Sequence, residues 1–222
     1  MARTTALEAK LAPAASALPE PFLYRLLRSP VRRLLERFFD LRIEGAAHLP
    51  AHGPFIVAAN HHNYLDGIVL GVSVPQPLAF LVMPRVWRAT PLHPLFHRNI
   101  GSIPLNLSGP DTEALRRALL VLRHGGAIAI FPEGPYSVNG RLEAGLPGVG
   151  LLALRSGVPV VPAGIHGTYA ALVGRRAYVP RRHPLAVRFG PPRRLVANGA
   201  SARVARAEAT QRIMDDIAAL LA

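Results

Sequence analysis

The order of apolar segments in this sequence predicts an α/β layer fold. From residue 41 onward, short apolar runs of strand length alternate with longer segments of helical periodicity. A chain of 222 residues is long enough to bury a sizeable core and lies near the upper size of one compact domain. We therefore expect a single domain, preceded by a helical element at residues 21–40 and by a loose, Ala- and Pro-rich segment at residues 1–20.

The individual elements follow from the apolar pattern and from the turn residues. Strands are predicted at 41–44, 55–59, 79–82, 101–105, 127–131, 158–165 and 185–190. Helices are predicted at 65–72, 111–124, 145–156 and 201–222. Ser108 or Asp111 can cap the second of these helices, Gly125 and Gly126 can end it, and Ser201 can cap the last.

Residues 21–40 combine apolar residues at helical spacing with many arginines. The apolar residues are Phe22, Leu23, Leu26, Leu27, Val31, Leu34, Leu35, Phe38 and Phe39, and the arginines are Arg25, Arg28, Arg32, Arg33 and Arg37. Because proline lacks a backbone N–H, we expect Pro30 to divide the segment into two short helices. A basic amphipathic helix pair is typical of an in-plane membrane anchor. The same pattern fits ordinary helices that pack on the core with a solvated arginine face.

The composition limits the classes of function. The chain has 26 basic and 13 acidic residues, so we expect an anionic partner: nucleic acid, anionic lipid headgroups or a phosphorylated substrate. The absence of cysteine excludes disulfides, thiolate metal sites and a cysteine nucleophile. No apolar run reaches about 18 residues, so no membrane-spanning helix is predicted. Glu8 and Lys10 interrupt the first 20 residues, which argues against a signal peptide and for an intracellular protein.

The stretch after the predicted strand at 55–59 contains the best candidates for catalysis. It reads Asn60, His61, His62, Asn63, Tyr64, Leu65 and Asp66, and strand ends of α/β sheets are where sites form. On one continuous helix, His61 and Asp66 would point about 140° apart and could not meet. If the helix instead begins near residue 63 or 64, Asp66 falls in its first turn and can reach back to the imidazole. One imidazole nitrogen would then be held while the other takes a proton, although two polar residues capping a turn would show the same spacing.

Three further strand ends could contribute to a site. The strand at 127–131 leads into Pro132, Glu133 and Gly134, where a carboxylate and free backbone N–H groups could face a ligand. The other two are residues 101–106 and residues 158–162. Each of these segments alone is more typical of a turn than of a site. No other cluster of His, Asp or Glu lies near His61 in the sequence, so no metal site is predicted.

Taken together and in order, four of these segments resemble the four sequence blocks of the glycerolipid acyltransferases of the lysophosphatidic acid acyltransferase type. The blocks are Asn60, His61 and Asp66; residues 101–103; Phe131, Pro132, Glu133, Gly134 and Ser137; and Val158, Pro159, Val160, Val161 and Pro162. The resemblance spans about residues 40–195. It implies an acyltransferase domain at 41–222 with a mixed, mostly parallel sheet flanked by helices, and a two-helix element at 21–40 that lies on the bilayer.

The resemblance also implies direct acyl transfer without an acyl-enzyme, in phospholipid biosynthesis. His61 would take the proton from the hydroxyl of lysophosphatidic acid or a related lysolipid, and that oxygen would attack the thioester of acyl-CoA or acyl carrier protein. Asp66 would orient His61 and stabilise its cation, and no cofactor is implied beyond the acyl donor. The implied substrate-binding residues are Arg85, Gly101, Asn106, Glu133, Gly134, Tyr136 and Ser137, and the implied acyl-site residues are Val158, Pro159 and Pro162.

Two positions depart from the family pattern. Members that use glycerol phosphate acceptors usually carry an arginine at the end of the second block and another after the glycine of the third, where this chain has Asn106 and Tyr136. Losing a bidentate arginine from a phosphate site is not a conservative change. Either another arginine supplies the charge, with Arg85, Arg88, Arg98 and Arg141 as candidates, or the acceptor bears its phosphate differently or not at all. Of the two we favour the second, with Asn106 and Tyr136 binding a neutral polar headgroup.

Two other functions fit parts of the sequence. A hydrolase would need a serine nucleophile, but no Gly-x-Ser-x-Gly elbow is present and Ser137 lies in a turn without it. A non-catalytic, basic membrane-binding protein with the same fold would explain the lost arginines but not the retained His61 and Asp66. Nucleic acid is not expected, because 6% of the residues are aromatic and no recognisable module is present. The expected partners are the acceptor, the acyl donor with its carrier protein, and the anionic cytoplasmic face of a membrane.

Overall fold

A seven-stranded sheet forms the centre of the computed structural model, which describes residues 21–88, 90–106, 111–172, 179–199 and 201–222. The strands are β1 (Arg42–Glu44), β2 (Phe55–Ala59), β3 (Leu78–Val82), β4 (Ile103–Pro104), β5 (Ala127–Ile130), β6 (Val160–His166) and β7 (Ala186–Phe189). Their order across the sheet is β1-β7-β6-β2-β5-β3-β4. All neighbours are parallel except β6 and β7, so the expected mixed, mostly parallel sheet is confirmed.

Helices cover both faces of this sheet. They are α1 (Phe22–Phe39), α2 (Tyr64–Ser73), α3 (Pro84–Trp87), α4 (His93–Asn99), α5 (Thr112–Arg123), α6 (Gly148–Ser156), α7 (Thr168–Leu172) and α8 (Ala202–Leu221). Every predicted strand, and every helix predicted after residue 41, is present with its ends shifted by no more than three residues. The sequence did not predict α3, α4 and α7, because helices of two turns or fewer are too short to show a helical period.

The predicted caps are found where the structure describes them. The Asp111 carboxylate accepts the N–H of Ala114 at 2.9 Å, and the Ser201 hydroxyl accepts the N–H of Val204 at 3.4 Å. Gly125, with φ of +78°, follows the end of α5, as predicted. Ser108 and the segment 1–20, which was predicted to be loose, lie outside the described residues.

Residues 22–39 form one continuous helix, so the prediction that Pro30 divides this segment in two is wrong. Pro30 lies on the exposed side of α1, where a carbonyl that loses its N–H partner can be hydrated. Tyr24, before the proline, and Leu35 and Phe39, after it, are buried on the side that packs against α2. Packing on both sides of Pro30 therefore outweighs one lost backbone hydrogen bond.

The apolar core lies in two layers, one on each face of the sheet. α1 and α2 cover one face, and α5, α6 and α8 cover the other. β2 lies in the middle of the sheet, between β5 and β6, and all five of its residues are buried. The chain that leaves β2 at Asn60 therefore starts from a strand that is fixed by neighbours on every side.

Two glycines in α6 differ in the space around them: Gly150 is crowded by α8, and Gly148 is not. A Cβ atom added at Gly150 would lie 2.4 Å from the carbonyl oxygen of Arg206 and 2.6 Å from the Thr210 hydroxyl, both on α8. A Cβ atom added at Gly148 would have no other atom within 4 Å.

We predict that Gly150→Ala lowers the free energy of unfolding by about 1–3 kcal/mol, because the new methyl group forces the two helices apart. Gly148→Ala is the matched control, since it adds the same methyl group to the same helix in open space and should leave stability unchanged or slightly increased. Urea denaturation of both variants measures the difference. Equal midpoints for the two variants would contradict the close packing of α6 on α8.

Candidate active site

Three neighbouring parallel strands end at the same edge of the sheet and bring the candidate residues together. Ala58 of β2 pairs with Ile130 of β5, and Phe80 of β3 pairs with Ala129 of β5. The segments that follow these strands begin at residues 60, 131 and 83, so they leave the sheet side by side. This edge carries His61, the turn at 131–137 and α3.

The structure places Asp66 beside the imidazole of His61, as predicted. α2 begins at Tyr64, and the Asp66 carboxylate in its first turn accepts a hydrogen bond from His61 Nδ1 at 2.9 Å. Because an ionised carboxylate only accepts hydrogen bonds, the proton of the neutral imidazole lies on Nδ1. Nε2 therefore keeps its lone pair, which is what a general base requires.

Asp66 organises the whole turn through a single oxygen. Its Oδ2 accepts from His61 Nδ1 and from the backbone N–H groups of His62, at 2.6 Å, and Asn63, at 2.7 Å. The side chain is completely buried, and no described residue bonds its other oxygen, Oδ1. Asn63 caps α2 by accepting the N–H of Leu65 at 2.9 Å. Capping of the helix and orientation of His61 therefore depend on the same carboxylate.

Two aromatic rings fix the plane of the His61 imidazole. Phe131 stacks on one face with 3.7 Å between ring centroids and an interplanar angle of 5°, and Tyr136 approaches edge-on at 4.5 Å. The His61 side chain is 12% exposed. Sequence reasoning gave Phe131 no role at His61, although its place at the end of the neighbouring strand was a usable signal.

Hydrogen bonds from the neighbours of His61 tie residues 60–63, the His61 turn, to β6 and α7. The amide of Asn60 donates to the carbonyl of Ile165 at 3.0 Å and accepts its N–H at 2.7 Å. His62 Nδ1 lies 3.1 Å from the Thr168 hydroxyl, and the Asn63 amide donates to the Thr168 carbonyl at 2.8 Å. Burial lowers the pKa of His62. Sequence reasoning missed Thr168, which lies 106 residues after His62.

Glu133 bridges the His61 turn and the loop before α6. One carboxylate oxygen accepts the N–H of His61 at 2.6 Å, and the other accepts the N–H of Glu143 at 2.7 Å. The residue is 3% exposed. Both oxygens therefore hold backbone groups in position, and the predicted contact of Glu133 with the acceptor stays a prediction. Burial raises the pKa of Glu133 to about 7, although the two backbone N–H groups favour the charged form.

Gly134 and Ser137 shape the turn that carries Tyr136. Gly134 has φ of +76°, and an added Cβ atom would lie 2.7 Å from Leu146. Ser137 is buried, its N–H donates to the His61 carbonyl at 2.8 Å, and its hydroxyl donates to Asn139 at 3.1 Å. Since the hydroxyl is bonded to Asn139 and not to His61, the structure does not favour Ser137 as a nucleophile.

Two predicted substrate contacts, Gly101 and Asn106, lie away from His61. Gly101 packs under the start of α1, where an added Cβ atom would lie 3.2 Å from Pro21. Asn106 follows β4, three strands from β2, which is about 14 Å at the usual strand spacing. Its backbone N–H donates to the Asp111 carboxylate. Substrate contacts by these two residues stay predictions.

The predicted acyl-site block leads into β6 and runs beside β2. Val160 pairs with Ile56 and Pro162 with Ala58, so Pro162 lies about 10 Å and Val160 about 16 Å along the strand direction from His61. Val158 and Pro162 are buried, and Pro159 is partly buried. The motif is strand core, since β6 is a central strand covered on both faces. A contact of Val158, Pro159 and Pro162 with the acyl chain stays a prediction.

Arg85 reaches the site from α3. Its guanidinium carbon lies 5.4 Å from the centroid of the Tyr136 ring, whose edge faces His61. Of the predicted residues, the structure therefore brings together His61, Asp66, Glu133, Gly134, Tyr136, Ser137 and Arg85. In the ranges that the structure describes, no group of three or more His, Asp or Glu side chains is arranged to hold a metal ion.

Comparison with known proteins identifies the family of this chain. A family model described as Acyltransferase matches residues 40–166, which is more than half of the chain and contains His61, Asp66 and the turn at 131–137. The chain belongs to the acyltransferase family. The matched region includes β2, α2 and β5, the elements that position the His61 imidazole.

Two relatives of this chain are named acyltransferases. A chloroplastic 1-acyl-sn-glycerol-3-phosphate acyltransferase of Arabidopsis thaliana is 30% identical over 134 residues, 59% of this chain and 37% of the relative. This chain therefore spans little more than a third of that protein's length. A 1-acyl-sn-glycerol-3-phosphate acyltransferase of Bacillus subtilis is 22% identical over 149 residues, 65% of this chain and 72% of the relative.

A solved structure shows the same acyltransferase fold. The 1-acyl-sn-glycerophosphate acyltransferase of Thermotoga maritima superposes with a TM-score of 0.73 at 22% identity, covering 99% of this chain and 88% of that one. The mixed sheet flanked by helices is therefore the fold of this family.

The raised pKa of Glu133 predicts a measurable pH dependence of stability. The folded protein binds this proton more tightly than the unfolded chain, in which the carboxyl has a pKa of 4.5. Its contribution to stability is therefore complete below pH 4.5 and is lost as the pH rises towards 7. In Glu133→Gln, which does not titrate, the free energy of unfolding should fall less than in the wild type over that range.

Chemical denaturation at pH 5, 6 and 7 measures this difference. Glu208→Gln, which removes an exposed carboxyl on α8, is the control and should follow the wild-type pH dependence closely. Parallel curves for the wild type and Glu133→Gln would show that Glu133 titrates normally in the folded protein.

Proposed function

We propose that this protein transfers a fatty acyl group from a thioester to the hydroxyl of a lysolipid, with His61 as general base. The observation that supports this most directly is the His61–Asp66 pair, in which Nδ1 is held by a buried carboxylate and Nε2 keeps its lone pair. The acceptor is lysophosphatidic acid or a related lysolipid, and the donor is acyl-CoA or acyl carrier protein. Membership of the acyltransferase family and the names of the relatives support the same reaction class.

The reaction needs one base and no covalent enzyme intermediate. His61 Nε2 accepts the proton as the acceptor hydroxyl attacks the thioester carbonyl, and a carbon–oxygen bond forms. Collapse of the tetrahedral intermediate breaks the carbon–sulfur bond, and the imidazolium returns its proton to the leaving thiolate. Asp66 stabilises the transient imidazolium and keeps its orientation. Phe131 contributes as well, because an aromatic face attracts a cation stacked on it.

A position on the surface of a bilayer is the second part of this proposal. The stripe Phe22, Leu26, Leu34 and Phe38 recurs along the side of α1 that faces away from α2, and each of these side chains is more than half exposed. Exposed arginines, Arg25, Arg33 and Arg37, lie beside it. Apolar side chains next to cationic ones match the boundary between acyl chains and anionic headgroups.

α4 adds to this surface. It packs against α1 and exposes Leu92, just before the helix, together with Leu95 and Phe96. Among the described residues, no helix is both long and apolar enough to cross a membrane. One side of α1 packs on the core, and the other presents apolar residues outward, which supports the membrane-anchor alternative for residues 21–40.

We predict that His61→Ala lowers the rate of acyl transfer by about 10²–10⁴-fold, the usual contribution of a general base. Asp66→Asn should cause a loss of similar order, because an amide can donate a hydrogen bond to Nδ1 and favour the wrong tautomer. Mass spectrometry of reactions with acyl-CoA, or with acyl carrier protein, and a panel of lysolipids measures the product.

His52→Ala is the matched control for this experiment. It removes an exposed histidine between β1 and β2 and should retain wild-type activity. If His61→Ala formed product at the rate of His52→Ala, His61 would not be the base. Absence of product from the wild type with every donor and acceptor would favour the non-catalytic membrane-binding alternative.

For the membrane surface, we predict that Leu34→Ser combined with Phe38→Ser reduces binding to anionic vesicles at least tenfold, because two exposed apolar side chains no longer enter the bilayer. Sedimentation with vesicles of phosphatidylglycerol and phosphatidylcholine measures the binding. Val196→Ser, at a residue that is 76% exposed in the loop between β7 and α8, is the matched control and should bind as the wild type does. Equal binding by both variants would exclude this side of α1 as the docking surface.

A further inference from the structure

Arg85 is a cation at the active site that no acidic side chain neutralises in the part of the chain that the structure describes. The described ion pairs join seven other pairs of residues, and Arg85 belongs to none of them. Its described contact is with the ring of Tyr136, on which the guanidinium rests at 5.4 Å. A positive charge held against an aromatic ring still offers the N–H groups along its edge to an anion.

The two carboxylates that bond the His61 turn, Asp66 and Glu133, form no ion pair with Arg85. Asp66 is fully buried and bonds His61 and two backbone N–H groups. Glu133 is 3% exposed, and its two oxygens accept the N–H groups of His61 and Glu143. Arg85, by contrast, is exposed. An anion that arrives from solvent therefore meets its charge without competition from these groups.

The distance between Arg85 and His61 matches the size of a small phosphorylated substrate. Tyr136 touches both residues, at 5.4 Å from the guanidinium carbon and 4.5 Å between the rings of Tyr136 and His61. The guanidinium carbon therefore lies within about 10 Å of the imidazole centroid. A hydroxyl bonded to His61 and a phosphate ester on the neighbouring carbon can span such a gap, because each end adds one hydrogen-bond length.

Other arginines lack this connection to the site. Arg88, at the end of α3, Arg98, in α4, and Arg141, in the loop after Asn139, are all exposed. Arg141 is positioned by its backbone N–H, which donates to Asn139 at 2.9 Å. Arg85 is the arginine that the described residues place against a ring in contact with His61.

From these contacts we propose that Arg85, supported by Tyr136, binds a phosphate group of a substrate beside His61. The ligand chemistry is a phosphate ester, which either the acceptor lipid or the coenzyme A donor can supply. This inference rests on the acyl-transfer function proposed above and refines it, because it makes the substrate anionic at a defined place. Where the acceptor supplies the phosphate, the inference also reverses the preference for a neutral headgroup that the sequence favoured.

Steady-state kinetics with matched substrates tests the proposal. The acceptors are short-chain lysophosphatidic acid and the monoacylglycerol of the same chain length, and the donors are acyl-CoA and acyl-pantetheine, which lacks phosphate. Water-soluble short-chain substrates remove any effect of Arg85 on binding to membranes. Arg85→Gln should raise KM about ten- to hundredfold for the phosphorylated member of one pair only, since a charge-assisted bidentate contact is lost. The value of kcat should change little.

Three further variants separate phosphate binding from structural damage. Arg85→Lys keeps the charge but not the bidentate geometry, and should recover part of the KM. Tyr136→Leu removes the ring beneath the guanidinium, and should raise the same KM by a smaller factor. Arg88→Gln removes an exposed arginine from the end of the same helix and should match the wild type.

The two substrate pairs identify the source of the phosphate. A KM increase confined to lysophosphatidic acid assigns Arg85 to the acceptor, and one confined to acyl-CoA assigns it to the donor. Equal KM changes for phosphorylated and unphosphorylated substrates, or no change at all, would overturn the proposal.

Calorimetric binding to the His61→Ala protein separates this proposal from the proposed function, because it needs no turnover. Lysophosphatidic acid or coenzyme A should bind more weakly when Arg85→Gln is added, whereas binding of monoacylglycerol should not change. If Arg85→Gln left both anions bound as before, the phosphate site would be wrong even where the wild type transfers acyl groups. If binding behaved as expected but no protein transferred an acyl group, the proposed function would fail and the phosphate site would stand.

Discussion

The hydrogen bonds to the buried carboxylate of Asp66 are the constraint on which the active site depends. One oxygen holds the imidazole of His61 and the backbone of the next two residues, so the same group ends β2, starts α2 and selects the tautomer of the base. Burial of a carboxylate is costly unless donors compensate for lost water. This conformation of the turn supplies three donors to Oδ2, and in it His61 presents Nε2 as an acceptor.

A second buried carboxylate holds the same turn from the other side. Glu133 accepts the N–H of His61 with one oxygen and the N–H of Glu143 with the other, and so connects the base to the loop that precedes α6. Phe131 and Tyr136, carried by the same turn, restrict the imidazole ring. The third sequence block acts here through the position of His61, and Tyr136 extends that influence to Arg85. His61 and Arg85 thus both contact this one turn.

The many arginines of the protein lie in different surroundings. Some neutralise carboxylates, as Arg193 does with Asp216 at 2.7 Å and Arg188 with Glu44 at 3.0 Å. Others stand beside exposed apolar residues of α1. Arg85 stands at the site itself. The net charge of +13 therefore has no single explanation, because the arginines that produce most of it lie in different chemical environments.

Local pattern was enough to predict the seven strands, the long helices and the pairing of His61 with Asp66. Strand length, helical period and first-turn geometry are properties of neighbouring residues, and they survive in the sequence. Local pattern could not predict that α1 continues through Pro30, because this depends on the packing of Tyr24, Leu35 and Phe39. The acyl-site block shows the same limit of local pattern, since the proline-bracketed strand at Val158 and Pro162 reads the same whether it lines a site or fills a core.

The sequence by itself determined the fold class, the family blocks and the pairing of His61 with Asp66, since all of these depend on residues close together in the chain. Only the tertiary structure decided that Thr168 anchors the turn, that Glu133 serves the backbone of His61, and that Arg85 stands over Tyr136. These contacts join residues 51 to 106 positions apart or lie across different strands. They exist because parallel strands bring their carboxyl ends to one edge of the sheet, whatever their separation in the sequence.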